Sequence, residues 1–261
     1  MEFEGKVALV TGASSGIGRA TVLRLAAEGC AVGVLAHGAE KVEEVVAEVR
    51  QAGGRAVPLV ADVGSEADMK AAVEALVDEF GALDFLFANA GINGVWAPID
   101  EITPEEWDRT INTNLRGTYL TLHYGVPHMK RAGGGAVVVT ASVNGTRIFS
   151  NAGATAYSAT KAAQVAMTQM LALELAKFRI RVNVICPGAI ETNIDESTTK
   201  RHEDIAGEPA EFPEGKIPLT DGMPGSSEEV ADLVAFLFSN RSRHISGTPV
   251  WIDGAESLLK G

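Results

Sequence analysis

The order of apolar and polar positions along the 261-residue chain predicts strands that alternate with helices. The strand candidates are short apolar runs, at residues 6–11, 31–36, 57–61, 83–88, 136–141, 180–186 and 248–252. These runs are continuous rather than alternating, which is typical of strands buried on both faces by helices. The pattern therefore predicts seven strands in a sheet that is covered on both sides.

Between these runs, apolar residues recur at helical spacing. Val42, Val45, Val46 and Val49 form an i, i+3, i+4, i+7 stripe. Further helices are predicted over residues 17–28, 65–80, 104–125 and 155–178, and from 226 onward. Strands that alternate with helices imply right-handed crossovers. We therefore predict an α/β fold with a doubly wound, mainly parallel, Rossmann-like sheet.

No break in composition divides the chain, so we expect one domain over residues 1–261. The one long irregular stretch is 188–225, and loops of that length are usually lids or binding loops. We therefore predict that this segment binds the substrate.

Composition and charge exclude several functional classes. Hydrophobic residues make up 46% and charged residues 21%, as in globular proteins. The net charge of −12 argues against binding to nucleic acid or to an anionic membrane surface. The chain shows no secretory signal pattern, and Cys30 and Cys186 lack redox or metal spacing, so we expect a cytoplasmic protein. The five histidines also lack metal-ligand spacing, and we expect no catalytic metal.

The first candidate for chemistry is a glycine-rich turn between the first strand and the first helix. It is Thr11-Gly12-Ala13-Ser14-Ser15-Gly16-Ile17-Gly18. Glycines permit close backbone approach, and a helix N-terminus offers free N–H groups to a diphosphate. In this setting we favour dinucleotide binding over a plain strand-to-helix turn.

The second candidate is the pair Tyr157 and Lys161. Residues four apart share a helix face. A phenol with a pKa near ~10 is a poor acid or base at neutral pH, and a nearby cation should lower that pKa. The pair could therefore act in acid–base catalysis, whereas an isolated pair of this kind would more often be a surface feature.

In their order along the chain, these motifs resemble the short-chain dehydrogenase/reductase superfamily in its short single-domain form. The resemblance runs from about residue 6 to 254. Its further elements are Asp62-Val63, Asn89-Ala90-Gly91, Asn114, Ser142, and Pro187-Gly188 with Thr192.

The resemblance implies an NAD(P)-dependent oxidoreductase that interconverts a secondary alcohol and a ketone. Tyr157 would exchange a proton with the substrate oxygen, supported by Lys161, and Ser142 would hydrogen-bond that oxygen. Asn114 would hold a water that links Lys161 to solvent, with Asn112 as the competing candidate. Two alternatives stay open: an isomerase or epimerase of the same superfamily, and a non-catalytic dinucleotide-binding regulator.

The resemblance also implies a set of cofactor contacts. They are Gly12, Ser14, Ser15, Gly16, Ile17, Gly18, His37, Asp62, Val63, Asn89, Ala90, Gly91, Tyr157, Lys161, Pro187, Gly188, Ile190 and Thr192. For Asn89, structural support is an equal alternative. The second strand ends in Leu35-Ala36-His37-Gly38, without the Asp that selects NAD or the Arg that selects NADP. Because His37 could assist a phosphate, NADP(H) is slightly favoured over NAD(H). Ser15 counts against this preference, because NADP-preferring members often have Arg or Lys at that position. His37 could also select neither cofactor.

The predicted substrate pocket contains Trp96, Asn144, Phe149 and Ile194, with Phe212 as a further candidate. Their character suggests an apolar or aromatic carbonyl compound, although each could instead belong to the core or to an interface. By resemblance the protein would be a homotetramer, or a homodimer, that pairs the long helices at 104–125 and 155–178.

Overall fold

A computed structural model of the chain describes residues 1–207 and 217–260, so the candidate Phe212 lies outside the described residues. The strands in these ranges are β1 (Val7–Thr11), β2 (Ala31–Ala36), β3 (Arg55–Val60), β4 (Phe85–Ala88), β5 (Gly94–Trp96), β6 (Gly135–Thr140), β7 (Ile180–Pro187), β8 (Thr198–Lys200) and β9 (Pro249–Ile252). Seven of them form one parallel sheet in the order β3-β2-β1-β4-β6-β7-β9, while β5 pairs with β8 separately. The predicted parallel seven-stranded sheet is confirmed.

Helices cover both faces of this sheet. They are α1 (Gly16–Ala27), α2 (Ala39–Gln51), α3 (Glu66–Phe80), α4 (Pro104–Thr110), a π-helical segment (Ile111–Arg116), α5 (Gly117–Ala132), α6 (Thr155–Ala176), α7 (Glu203–Ala206), α8 (Ser227–Phe238) and α9 (Glu256–Lys260). None of the described helices combines the length with the hydropathy that a membrane-spanning segment requires.

The core consists of two clusters, one on each face of the sheet. Successive side chains of a strand point to opposite faces, so Val7 and Leu9 of β1 enter one cluster while Ala8 and Val10 enter the other. Helices α3, α5 and α6 complete the first cluster, and α1, α2 and α8 complete the second. Burial on both faces explains why the strands are continuously apolar.

Two elements differ from the sequence prediction. The helix predicted over 104–125 is divided into α4, the π-helical segment and α5, which continues to Ala132. Hydrophobic spacing does not reveal the wider turn of a π-helix. Strand β3 spans Arg55–Val60 rather than 57–61, because this edge strand has a single neighbour, β2, and carries exposed residues at both ends.

The segment 188–225 contains short elements as well as loops. Besides β8 and α7, it holds 3₁₀ turns at Ile194–Ser197 and Pro218–Thr220. Pairing of β8 with β5 joins this segment to the chain that follows β4. Asn93 strengthens the junction, since its backbone N–H donates to Ser197 Oγ at 3.0 Å and its Nδ2 donates to Thr198 Oγ1 at 2.8 Å.

Asp84 ties the amino ends of β1 and β4 together. Its Oδ2 accepts the backbone N–H of Val7 at 3.0 Å, and its Oδ1 accepts from Lys6 Nζ at 2.8 Å. The Asp84 side chain is 13% exposed, whereas that of Lys6 is 49% exposed. The two bonds therefore differ in environment, although they share one carboxylate.

We predict that Asp84→Ala lowers the free energy of unfolding by about 2 kcal/mol, because it leaves the buried N–H of Val7 without an acceptor. Lys6→Met is the matched control and should cost less than about 1 kcal/mol, since the ion pair is half-exposed. Denaturant unfolding of the two variants measures the difference. Equal losses would contradict the assignment.

Candidate active site

A cavity of about 680 Å³ opens at the carboxyl ends of the parallel strands. It lies where the strand order reverses between β1 and β4, the usual ligand position in doubly wound sheets. A second cavity of about 740 Å³ lies at the opposite edge, beside Asp84 and Arg179, and contains none of the residues predicted for the site. The carboxyl-end cavity is therefore the candidate active site, because it contains the predicted residues and lies at the point where the strand order reverses.

Almost all the predicted cofactor residues line this cavity. They are Gly12, Ser14, Ser15, Gly16, Ile17, His37, Asp62, Val63, Asn89, Ala90, Gly91, Tyr157, Lys161, Pro187, Gly188, Ile190 and Thr192. The exception is Gly18, which is not among the described lining residues. A Cβ at Gly18 would lie 2.1 Å from the carbonyl oxygen of Gly12, so this glycine lets α1 pack against the turn.

The glycine-rich turn brings backbone close to the cavity. Gly12 has φ +63°, and a Cβ there would lie 2.9 Å from Ala90 Cα. Ser15 precedes α1 but makes no side-chain cap, whereas Ser65, Thr103 and Ser226 each cap their helices. The first N–H groups of α1 therefore have no side-chain acceptor at the cavity, which suits a diphosphate.

Asn89, at the end of β4, links the two strands that flank β4 in the sheet, β1 and β6. Its Nδ2 donates to the carbonyl of Thr11 at 3.1 Å, and its Oδ1 accepts from Thr140 Oγ1 at 3.0 Å. Thr11 Oγ1 in turn accepts the backbone N–H groups of Asn89 and Ala90. Asn89 therefore has the structural role that was one of its two predicted alternatives, since it crosslinks β1 and β6, and it also lines the cavity, so the predicted cofactor contact stays a prediction.

Tyr157 and Lys161 lie side by side on α6, and both are buried. Lys161 Nζ is 5.4 Å from the centre of the Tyr157 ring. The ammonium donates to the carbonyl of Thr140 at 2.8 Å, which fixes it at the end of β6. The cavity wall thus holds a phenol and an ammonium group in one place.

Burial dominates the pKa values of this pair. Burial raises the pKa of Tyr157 to about 12. A hydrogen bond with Ser142 acts in the opposite direction, and the charge of Asp195 raises the pKa further. Burial lowers the pKa of Lys161 to about 8, with Cys186 opposing. The protein alone therefore does not show the lowered tyrosine pKa that the sequence analysis expected from Lys161, because desolvation is the largest influence on Tyr157. The chain therefore holds a neutral phenol.

Ser142 follows β6 and lies next to Tyr157 in the cavity wall. Its Oγ accepts the backbone N–H of Asn144 at 3.1 Å. Because that bond uses a lone pair of the hydroxyl, its hydrogen is available to donate. Ser142 can therefore act as a donor to an oxygen placed between it and Tyr157.

Asn114 is fully buried in the π-helical segment. Its Oδ1 accepts the N–H of Ile92 at 2.8 Å, while its Nδ2 donates to the carbonyl of Ile92 and to Thr160 Oγ1. Asn112, the competing candidate, lines the cavity and lies against Gly64. The structure thus places Asn114 beside the Tyr–Lys pair and Asn112 farther along the cavity wall.

Of the predicted substrate residues, Ile194 lines the cavity, and Trp96, Asn144 and Phe149 are not among its described lining residues. The Trp96 ring packs 6.5 Å from that of Tyr157. Asn144 Oδ1 accepts from Asn151, and Phe149 is 75% exposed. Among the described residues, Ile194 therefore lines the cavity directly, Trp96 contacts the Tyr157 ring from outside the described lining, and the predicted substrate pocket stays a prediction.

Several lining residues were not predicted from the sequence. They are Ala36, Ala61, Ile92, Arg109, Thr113, Thr140, Ala141, Asn193 and Ser197. Most neighbour a predicted residue, so adjacency was a usable signal. Arg109 had no such signal, because it reaches the cavity from α4.

Within residues 1–207 and 217–260, no three His, Cys, Asp or Glu side chains lie close enough together to form a metal site.

Comparison with known proteins identifies the family. Residues 6–203 match the family model described as short chain dehydrogenase. The chain is 40% identical to cyclohexanol dehydrogenase of Acinetobacter sp. (strain SE19), covering 97% of this chain and 96% of that protein. It is 38% identical to 3-oxoacyl-(acyl-carrier-protein) reductase FabG of Thermotoga maritima, covering 97% and 98%. It is also 38% identical to levodione reductase of Leifsonia aquatica, covering 98% and 95%.

Solved structures give the same result. A 3-ketoacyl-ACP reductase from Sinorhizobium meliloti 1021 superposes with a TM-score of 0.93 at 60% identity, covering 97% of this chain and 99% of that one. A Brucella melitensis reductase complexed with NADH gives 0.86 at 34% identity, covering 98% and 99%. A Burkholderia cenocepacia J2315 short chain dehydrogenase in complex with NADP gives 0.85 at 34%, also covering 98% and 99%.

Fold, motif order and relatives agree. The chain belongs to the short-chain dehydrogenase/reductase superfamily and is an NAD(P)-dependent oxidoreductase that interconverts a secondary alcohol and a ketone.

Proposed function

We propose that Tyr157, Lys161, Ser142 and Asn114 carry out this reaction. The observation that carries the proposal is the burial of Tyr157 beside Lys161 in the wall of the carboxyl-end cavity. When bound, NAD(P)H supplies the hydride for ketone reduction, and its oxidised form accepts it in the reverse direction. The glycine-rich turn and the other lining residues predicted above hold that cofactor.

In ketone reduction, Tyr157 donates its phenolic proton to the substrate oxygen. The high tyrosine pKa keeps that proton in place at neutral pH. Ser142 donates a hydrogen bond to the same oxygen and stabilises the negative charge that develops there. Lys161, charged below about pH 8, stabilises the phenolate that remains after the transfer.

Asn114 holds the cavity wall and takes part in proton resupply. Both hydrogens of its Nδ2 are used, by Ile92 and Thr160. Its Oδ1 accepts one hydrogen bond from Ile92, so one acceptor position remains. We assign that position to the water that relays protons between Lys161 and solvent.

For the substrate, we propose a small apolar ketone that is cyclic or aromatic. The names of two relatives, cyclohexanol dehydrogenase and levodione reductase, support cyclic compounds. The reductases of acyl-carrier-protein substrates support a 3-oxoacyl thioester instead. We favour the cyclic ketone because the cavity offers few positive charges. Among the described lining residues, the lysine and arginine residues are Lys161 and Arg109, and Lys161 is buried. An anionic carrier therefore meets little positive charge there.

We propose that the cavity accepts both cofactors and prefers NADP(H) slightly. His37 is exposed in the cavity wall at the end of β2, where an Asp would repel a 2′-phosphate. Ser15 supplies no positive charge, so the preference should be small. The relatives' structures with NADH and with NADP support a site of this kind for either cofactor.

We further propose a homotetramer, with a homodimer as the smaller alternative, in the cytoplasm. Large apolar side chains are exposed on the long helices and near the carboxyl end: Tyr119, Met170, Leu173, Leu258 and Leu259. Association of copies through these helices would cover them. The cysteines Cys30 and Cys186 are buried and free, which fits a reducing compartment.

The substrate proposal predicts that cyclohexanone-type and aryl ketones are reduced with kcat/KM at least about tenfold above acetoacetyl-CoA, because an apolar site desolvates them at lower cost. Spectrophotometric oxidation of NADPH and NADH against both groups of compounds measures this. A higher kcat/KM for the thioester would replace the cyclic ketone with the 3-oxoacyl substrate.

Tyr157→Phe should reduce kcat by about a thousandfold or more, because it removes the proton donor and leaves the ring in place. Cofactor affinity, measured by fluorescence titration, should change by less than about twofold. Tyr119→Phe, on the exposed face of α5, is the matched control and should retain activity. Turnover of Tyr157→Phe at the wild-type rate would remove the proposed acid.

His37→Asp should shift preference toward NADH by about a hundredfold in the ratio of kcat/KM values, since the carboxylate repels a 2′-phosphate and accepts from a 2′-hydroxyl. The activity of the variant with NADH is the internal control for folding. An unchanged ratio would show that His37 does not lie beside that part of the nucleotide.

A further inference from the structure

A stripe of buried polar side chains continues along α6 beyond the Tyr–Lys pair. Tyr157, Lys161, Gln164 and Thr168 follow the i, i+4, i+7, i+11 pattern of one helix face. Gln164 and Thr168 are each 0% exposed. A buried glutamine is uncommon unless it is bonded, so its partners are informative.

Gln164 bonds to the segment that carries Asn114. Its Nε2 donates to the carbonyl of Asn114 at 3.0 Å and to Thr118 Oγ1 at 2.8 Å. The carbonyl of Asn114 also accepts from Thr118 Oγ1 at 2.7 Å. The Gln164 amide therefore holds the π-helical segment Ile111–Arg116 from α6, in addition to the bond between the Asn114 side chain and Thr160.

The oxygen of the same amide has no hydrogen-bond partner among residues 1–207 and 217–260, and neither has Thr168 Oγ1. Thr168 is unusual in this respect, since the buried helical residues Thr21, Thr118 and Thr121 each donate to the carbonyl four residues earlier. The Thr168 hydroxyl is therefore turned away from its own helix. These two buried oxygens belong to residues one helical turn apart, and buried polar groups are normally hydrogen-bonded, so one shared partner would satisfy both.

We propose that Gln164 is a positioning residue for the reaction: its amide nitrogen holds the backbone of Asn114, and one buried water joins its Oε1 to Thr168 Oγ1. Water can donate to Gln164 Oε1 while it accepts from or donates to the Thr168 hydroxyl. The inference rests on the catalytic roles proposed for Asn114 and Lys161.

Gln164 acts on Lys161 through Asn114 and the chain after β4. Asn114 binds both the N–H and the carbonyl of Ile92. The preceding residue, Gly91, separates the two groups: a Cβ there would lie 3.3 Å from Asn114 Oδ1 and 3.5 Å from Lys161 Nζ. Movement of Asn114 therefore moves the wall that encloses the ammonium group.

The groups that face Lys161 come from several elements. Tyr157 lies on its own helix, the Thr140 carbonyl lies at the end of β6, and the Cys186 thiol lies on β7. Asp195 acts on Tyr157 from the 3₁₀ turn Ile194–Ser197. Since burial is the main cause of the lowered lysine pKa, a loosened wall that admits water raises that pKa.

The kinetic test compares Gln164→Met with Gln169→Met, the same substitution at an exposed position of α6. Gln164→Met should lower kcat about tenfold, with KM for ketone and cofactor within about twofold of wild type. The alkaline limb of its kcat profile should move up by about half a pH unit or more, because Lys161 is better solvated. Gln169→Met should match wild type in both measurements.

The stability test uses Thr168→Val and the double variant. If a water joins the two oxygens, Thr168→Val should lower the melting temperature by about 2 °C, and the loss in the double variant should be smaller than the two single losses combined. If each oxygen is truly unpaired, Thr168→Val should raise the melting temperature, because a methyl group replaces an unbonded hydroxyl, and the two effects should add.

Each outcome decides one part of the inference. An unchanged kcat and pH profile in Gln164→Met, alongside an inactive Tyr157→Phe, would overturn the positioning role while leaving the proposed function intact. Additive effects with a stabilising Thr168→Val would overturn the buried water. If Tyr157→Phe were fully active, the proposed function would fail, but the stability cycle would still decide the water.

Discussion

The site depends on a lysine ammonium group that is held inside the protein by one backbone carbonyl. Lys161 donates to Thr140 at the end of β6, and burial opposes its charge. A buried cation is tolerated only where other groups compensate for the lost hydration. Here the compensation comes from the carbonyl of Thr140, the last residue of the parallel strand β6. The position of the charge therefore depends on where the sheet topology places the end of β6.

The same strand ends explain how the glycine-rich turn and the Tyr157–Lys161 pair share one cavity. Asn89 crosslinks Thr11 of β1 to Thr140 of β6 across the end of β4. The glycine-rich turn starts at Thr11, and the carbonyl that holds Lys161 belongs to Thr140. One asparagine therefore connects the glycine-rich turn to the strand end that holds the ammonium group. That connection suits a reaction in which two bound molecules must meet within a few tenths of an ångström.

Much of this arrangement could be predicted from the sequence, because it depends on local features. The apolar runs predicted the seven-stranded sheet, and ordered motifs predicted residues such as Gly12 and Lys161, which the structure places in the cavity wall. The rest depends on contacts between distant segments. Whether Phe149 points into the cavity or into solvent is decided by the path of its loop. The high pKa of Tyr157 is likewise a property of burial, which residue spacing does not report.

The seam between α5 and α6 shows a further limit of pattern analysis. The sequence pattern predicted a helix over 155–178 but no role for Gln164 or Thr168, which are completely buried on the face of α6 beyond Lys161. An apolar pair would pack at lower cost, because every buried polar atom must find a partner or lose its hydration energy. The carbonyl of Asn114, in the π-helical segment, accepts hydrogen bonds from the side chains of Gln164 and Thr118. Gln164 therefore joins the segment that brings Asn114 to Ile92 to the facing helix α6, and this bond gives the buried amide a partner.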